Sequence, residues 1–119
     1  MSLIIKGYHI FKFWGNLIIN PLLVMYNKDR WSSSTILSVW NKGIVVSGND
    51  SNVFRKDACG AWMEFGKHGD RDAKYGWEID HIVPVASNGP DVISNLQPLH
   101  WKNNLEKGDS SQLRCAVRD

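Results

Sequence analysis

Between residues 77 and 108 the chain leaves itself one local plan. The run Trp77-Glu78-Ile79-Asp80-His81-Ile82-Val83 carries β-branched side chains that suit a pleated strand. Pro84 ends it by removing a ladder donor. Ser87-Asn88-Gly89-Pro90-Asp91 is a cluster of turn residues. A second extended piece follows at Asn95-Leu96-Gln97-Pro98-Leu99. Residues 100–107 then suit a two-turn helix, with Trp101 and Leu105 one turn apart as its buried stripe and Gly108 as its stop. Strand, long loop, strand and helix in that order imply an α+β domain.

The remainder gives this unit a small helical and extended support. At 119 residues the chain reads as one domain, and 43% apolar residues with six tryptophans supply one modest core. Ser32-Ser33-Ser34 predicts a helix start, with Ile36, Leu37 and Trp40 following at helical spacing and Gly43 as a stop. Residues 44–46 are a short extended run, 47–50 a turn, and 61–65 a strand. Residues 66–76, rich in glycine and charge, read as a surface loop. Residues 109–119 read as a loosely attached tail.

The amino terminus differs in composition. Residues 3–26 are rich in Ile, Leu and aromatics. The uncharged stretch 13–27 is shorter than the roughly 20 apolar residues of a membrane span, and Asn16, Asn20 and Pro21 interrupt it. Lys6 and Lys12 ahead of an apolar segment give the outline of a signal peptide, without a small-x-small cleavage site. The expectation is a peripheral extension over residues 1–24, a domain over 25–119 with its motif core at 77–109, and Met25 as the native first residue.

Net charge is only +2. Its distribution is uneven: residues 1–60 hold seven Lys/Arg against three Asp/Glu, and residues 61–119 hold seven against nine. A phosphate-gripping face beside a carboxylate site would produce this, and so would a solvated mixed-charge surface. The two cysteines, Cys59 and Cys115, form no CxxC pair, which excludes a disulfide framework and a four-cysteine zinc ribbon. Free thiols in a reducing cytoplasm are the expectation. No membrane partner is expected.

Asp80, His81 and Asn104 are the candidates for chemistry. Phosphodiester cleavage with one metal needs oxygen or nitrogen ligands that leave positions open, a base that activates water, and a device that aims the base. Asp80 and His81 are neighbours at a strand end, so their side chains leave opposite faces unless the backbone twists. Such a pair can offer a carboxylate to a metal and an imidazole to water, and Asn104 on the following helix can add an amide oxygen. Oxygen ligands with open positions suit Mg²⁺ or Mn²⁺ better than a closed zinc site.

The run GWEIDHIVPVASNGPDVISNLQPLHWKNNLEKGD resembles the HNH endonuclease motif, whose fold is the ββα-metal (His-Me) finger. The marks of the resemblance are Asp80-His81, Asn95 and Asn104, with Pro84, Gly89, the 95–99 run and Lys107-Gly108-Asp109 around them. Upstream, residues 55–62 are similar to a group of bacterial HNH proteins. The resemblance implies that His81 is the general base, that Asp80 and Asn104 ligate one divalent metal, and that Asn95 pins the loop beside His81. It implies 5′-phosphate and 3′-hydroxyl products from DNA, with RNA also open, and a monomer or weak dimer. Mg²⁺ or Mn²⁺ is the implied ion, with Zn²⁺ and Ni²⁺ as alternatives. The other implied possibility is a finger that binds nucleic acid without turnover.

Two departures from the family stand out. Many members carry CxxC pairs around a structural zinc, whereas the matching positions here are Cys59, Trp62, His100 and Asn103, so no structural zinc is expected and tryptophan packing should replace it. Members with histidines one turn apart on the helix ligate the metal through both, whereas Asn104 and Gly108 stand here. Glu78 and His100 are candidates to support the metal ligands, with a salt-bridged Glu78 and a packed His100 as the plain alternatives. Lys102, Lys107, Arg55 and Lys56 are candidate phosphate contacts. His9 and His68 are expected at the surface. A secreted nuclease toxin is the alternative location, on the apolar amino terminus alone.

Overall fold

A computed structural model describes residues 2–5, 8–13, 16–19 and 30–119, the first three stretches by their backbone. Those stretches are strands β1 (Ser2–Ile5), β2 (Tyr8–Phe13) and β3 (Asn16–Ile19), joined in order as an antiparallel sheet. The expected boundary at residue 24, with Met25 as native start, lies outside the described residues, as does the His9 side chain.

Helix α1 (Ser33–Trp40) begins where Ser32, extended in backbone, accepts a hydrogen bond from the Thr35 amide at 3.1 Å. That side chain satisfies one amide that the first turn leaves over. The buried stripe is Ile36, Val39 and Trp40, while Leu37 points outward at 50% exposure, so the expected stripe is corrected by one position. Strands β4 (Phe54–Lys56) and β5 (Trp62–Glu64) form a short antiparallel pair. Met63 from β5 joins Val39 and Trp40 in the core with Trp77, Ile79 and Leu96. The Trp40 and Trp77 rings lie 5.2 Å apart, and their indole N–H groups donate to Ser51 and Phe65 carbonyls. Two large rings thus enter the core with no polar atom stranded.

Strands β6 (Trp77–His81) and β7 (Leu96–His100) pair antiparallel, with Asp80 opposite Gln97 and His81 opposite Leu96. Helix α2 (Trp101–Lys107) follows β7 without a break and packs on both strands. Strand, loop, strand and helix appear in the order expected. The helix's buried face does not. Asn103, Asn104 and Lys107 are buried, while Trp101 is half-buried and Leu105 is 39% exposed. A polar helix face turned inward is stable only where every group finds a partner.

For Asn103 that partner is Asp57, which is 1% exposed. One carboxylate oxygen accepts from the Cys59 and Ala61 amides, and the other from the His100 amide and the Asn103 side chain, each at 2.9 Å. One side chain therefore ties the β4–β5 turn to the start of α2. Asn103 also exchanges two hydrogen bonds with Val117, at 2.8 Å each. Residues 109–119 are consequently anchored, contrary to the loose tail expected.

Cys59 and Cys115 form a disulfide, which corrects the expectation of free thiols. With its half-cystines 56 residues apart, the bridge encloses β5, β6, β7 and α2. Reduction, or Cys115→Ser, is expected to lower stability by about 3 kcal/mol. Thermal unfolding followed by circular dichroism, with and without reductant, measures it; equal midpoints would show that the bridge carries no stability.

The glycine-rich stretch 66–76 is more than a surface loop. A Cβ at Gly76 would fall 1.8 Å from the Asp70 carbonyl, so only glycine allows this approach. Ala73 and Lys74 carbonyls receive the Trp101 indole and a His100 ring nitrogen, which binds the loop to α2. His68, expected at the surface, packs edge-on against Trp77 with ring centroids 4.8 Å apart.

Candidate active site

Two groups of side chains meet at the end of β6, one on each strand face. The first lies between β6 and α2. Strand alternation puts Glu78 and Asp80 on this side, and both are fully buried. Asn104 and Lys107, three residues apart on α2, reach them. The Asn104 amide donates to Glu78 Oε1 at 2.7 Å. Lys107 Nζ stands 3.3 and 3.2 Å from the two Asp80 oxygens and donates to the His81 carbonyl at 2.8 Å. Gln97, opposite Asp80 on β7, donates to its Oδ2 at 2.8 Å.

Arg71 completes this group. Its Nε and Nη2 grip the two Glu78 oxygens at 2.7 and 2.9 Å, a paired geometry that a lysine could not reproduce. Two buried carboxylates thus stand beside two cations, which is the condition for ions to survive desolvation. Arg71 was not a sequence candidate, because its loop gave no periodicity to say which way it faces.

The second group surrounds the His81 ring, on the other face. His81 is 5% exposed, and its Nε2 lies 2.5 Å from Asp91 Oδ1. Arg30 bonds the other Asp91 oxygen at 2.6 Å and lies over the Trp31 ring, 4.5 Å from its centroid. Trp31 in turn packs against His81, with centroids 5.7 Å apart. The His81 hydrogen bond and the Arg30 contact hold the Asp91 carboxyl below its ordinary value, against the opposing effect of its partial burial. Lys107 is the link between the two faces, touching the Asp80 carboxylate and the His81 backbone.

Asn95 sits between them in the chain and holds the loop. Its Oδ1 accepts from the Val83 amide at 2.9 Å, and its Nδ2 donates to the Val83 and Pro90 carbonyls at 3.1 and 3.0 Å. The loop is drawn so tightly that a Cβ at Gly89 would lie 1.7 Å from the Val83 carbonyl. Asp91, next to Pro90, is thereby delivered to His81.

The remaining candidates are placed as follows. His100 caps α2: its Nδ1 accepts from the Lys102 amide at 3.1 Å, and Nε2 faces the Lys74 carbonyl at 2.7 Å. Both ring nitrogens are occupied, so the expected support of the metal ligands is corrected to a helix cap. Lys107, at 2% exposure, is an internal ion-pair partner rather than a phosphate contact. Arg55 spends its guanidinium on the Ser51, Asn41 and Gly43 carbonyls. Lys56 lies over the Trp62 ring, and Lys102, exposed, over Trp101.

Among the described residues no three His, Cys, Asp or Glu side chains gather as a ready metal-binding group. One observation nevertheless fits a cation. Asn104 Oδ1 is buried without a hydrogen-bond donor, a condition that costs about 1–3 kcal/mol. Its own Nδ2 is committed to Glu78, and Asp80 belongs to the same buried group through Lys107. The Asp80 carboxylate and the undonated Asn104 amide oxygen are hard donors of the kind Mg²⁺ and Mn²⁺ take.

Comparison with known proteins agrees in one respect and is silent in two. No curated protein and no solved structure matches the chain. The family model described as HNH endonuclease matches residues 66–110, which run from the Arg71 loop through β6, the pinned loop and β7 to just beyond α2. That segment, with Asp80, His81, Asn95 and Asn104 inside it, is the part of the chain that is similar to HNH endonucleases.

Proposed function

We propose that the protein is a DNA endonuclease built on a ββα-metal finger, in which His81 acts as general base and Asp80 and Asn104 hold one divalent cation. The buried Asn104 oxygen without a donor carries this reading, because a cation is the partner that would satisfy it. Such an ion, when bound, stabilises the charge that builds on the phosphate and on the departing 3′ oxygen.

The chain's own residues supply the rest. The His81 imidazole takes a proton from water as its oxygen bonds to phosphorus and the bond to the 3′ oxygen breaks. That oxygen gains a proton from solvent, leaving 5′-phosphate and 3′-hydroxyl ends. Asn95 keeps the loop from drifting while this happens, through its bonds to Val83 and Pro90. Arg71 and Lys107 hold the two buried carboxylates in place. The exposed Lys102 is the remaining candidate for a phosphate contact. One finger cuts one strand, so a monomer nicks, and a weak dimer would be needed for a double-strand cut.

A second reading is a finger that binds nucleic acid without cutting it. Its support is the Asp80 carboxylate, fully buried and already faced by Lys107 and Gln97. Nicking of supercoiled plasmid separates the two. An endonuclease relaxes the plasmid with Mg²⁺ or Mn²⁺, stops on addition of EDTA, and resumes when the ion is returned in excess. A gel shift with no relaxation under any ion would sink the first reading and leave the second.

A further inference from the structure

We infer that Asp91 is the positioning residue for His81, setting which ring nitrogen carries the proton and leaving the other its lone pair. This rests on the base role given to His81 above. The inference starts from geometry. Asp91 Oδ1 lies 2.5 Å from His81 Nε2, and no hydrogen bond to Nδ1 is made among the described residues. A carboxylate is an acceptor only, so it selects the imidazole tautomer with hydrogen on Nε2 and leaves the Nδ1 lone pair available.

Arg30 holds the carboxylate directly, and Asn95 and Trp31 brace the groups around it. Arg30 bonds its second oxygen at 2.6 Å, Asn95 ties the adjoining Pro90 carbonyl, and Trp31 packs on both Arg30 and the His81 ring. A plain turn aspartate needs none of this. The lowered pKa of Asp91, caused first by its hydrogen bond to His81, accords with a carboxylate that stays charged beside its two donors.

In the reaction, the water proton passes to Nδ1 while the Nε2–H bond to Asp91 is kept. The imidazolium so formed stands against a negative carboxylate, which lowers its energy without Asp91 taking a proton. The imidazolium then releases its proton to solvent. Asp91 takes no part in the bonds made and broken at phosphorus. It acts through His81.

The test uses the full chain and the variants Asp91→Asn, Asp91→Ala and Asp91→Glu. Asp91 is about half exposed, so the variants should fold, and circular dichroism checks this. Long-range proton–nitrogen NMR reads the His81 tautomer without any cleavage. The wild type should show hydrogen on Nε2 alone, and Asp91→Ala a mixture. In nicking assays, kcat should fall about 100-fold in the Asn and Ala variants, KM should move less than about threefold, and Asp91→Glu should recover part of the loss. An unchanged tautomer in Asp91→Ala overturns the proposal, as does a loss confined to KM. If the wild type itself does not nick, the endonuclease reading falls, and the NMR result still decides whether Asp91 sets the tautomer.

Discussion

Replacing His81 by alanine is expected to slow plasmid nicking by about 10²–10⁴-fold, the range a well-placed general base contributes. The effect belongs to kcat, since the imidazole, 5% exposed and turned to Asp91, has little surface to offer DNA. Gel-shift affinity should stay within a few-fold of the wild type. Folding should survive as well, because the Lys107 bond at this position goes to the His81 backbone carbonyl, which alanine keeps. Single-turnover nicking at saturating metal is the measurement. A His81→Ala protein that cuts within threefold of the wild type would remove the base from the proposed mechanism.

The largest stability effect should come from Asp57, far from the reacting groups. Asp57→Ala strands the Cys59, Ala61 and His100 amides and one Asn103 hydrogen bond in the interior. Each buried donor left unmade costs about 1–3 kcal/mol, and water entering the gap recovers part of this, so about 4–5 kcal/mol is expected. Asp57→Asn should also destabilise, by about 2 kcal/mol. Its oxygen can serve one pair of donors, but its amide nitrogen then meets another donor pair. Denaturant unfolding under non-reducing conditions measures both, with the disulfide intact. If alanine costs less than asparagine, the hydrogen bonds to Asp57 are not what holds this corner.

Several elements could be read from neighbours along the chain. Ser32 announces α1 because a cap is a contact between residues three apart. Pro84, the 87–91 cluster and Gly108 punctuate β6, β7 and α2 by their own backbone limits. The stretch matched by the HNH endonuclease family model includes Asp80, His81, Asn95 and Asn104. Helix orientation was harder. Trp101 and Leu105 look like the buried stripe of α2, yet the helix turns Asn103, Asn104 and Lys107 inward. Periodicity weighs apolar area and cannot see that Asp57, Glu78 and Asp80 wait on the other side.

The missing partners have the same explanation. Arg71, Asp91 and Arg30 acquire meaning only through Glu78 and His81, and nothing in a loop's composition says whom it will meet. The pairing of Cys59 with Cys115 is likewise a matter of closeness in space across 56 positions.

What the amino-acid order determines by itself is where strands and helices begin and stop, and which residue types the β6–β7–α2 unit contains. Those follow from backbone sterics and short-range hydrogen bonds, which act between near neighbours. Tertiary structure alone decides the counter-ions of Glu78 and Asp80, the carboxylate beside His81 and the lone oxygen of Asn104. Charge and hydrogen-bond satisfaction depend on distance through space, and a buried polar group takes its role from whatever the fold brings against it.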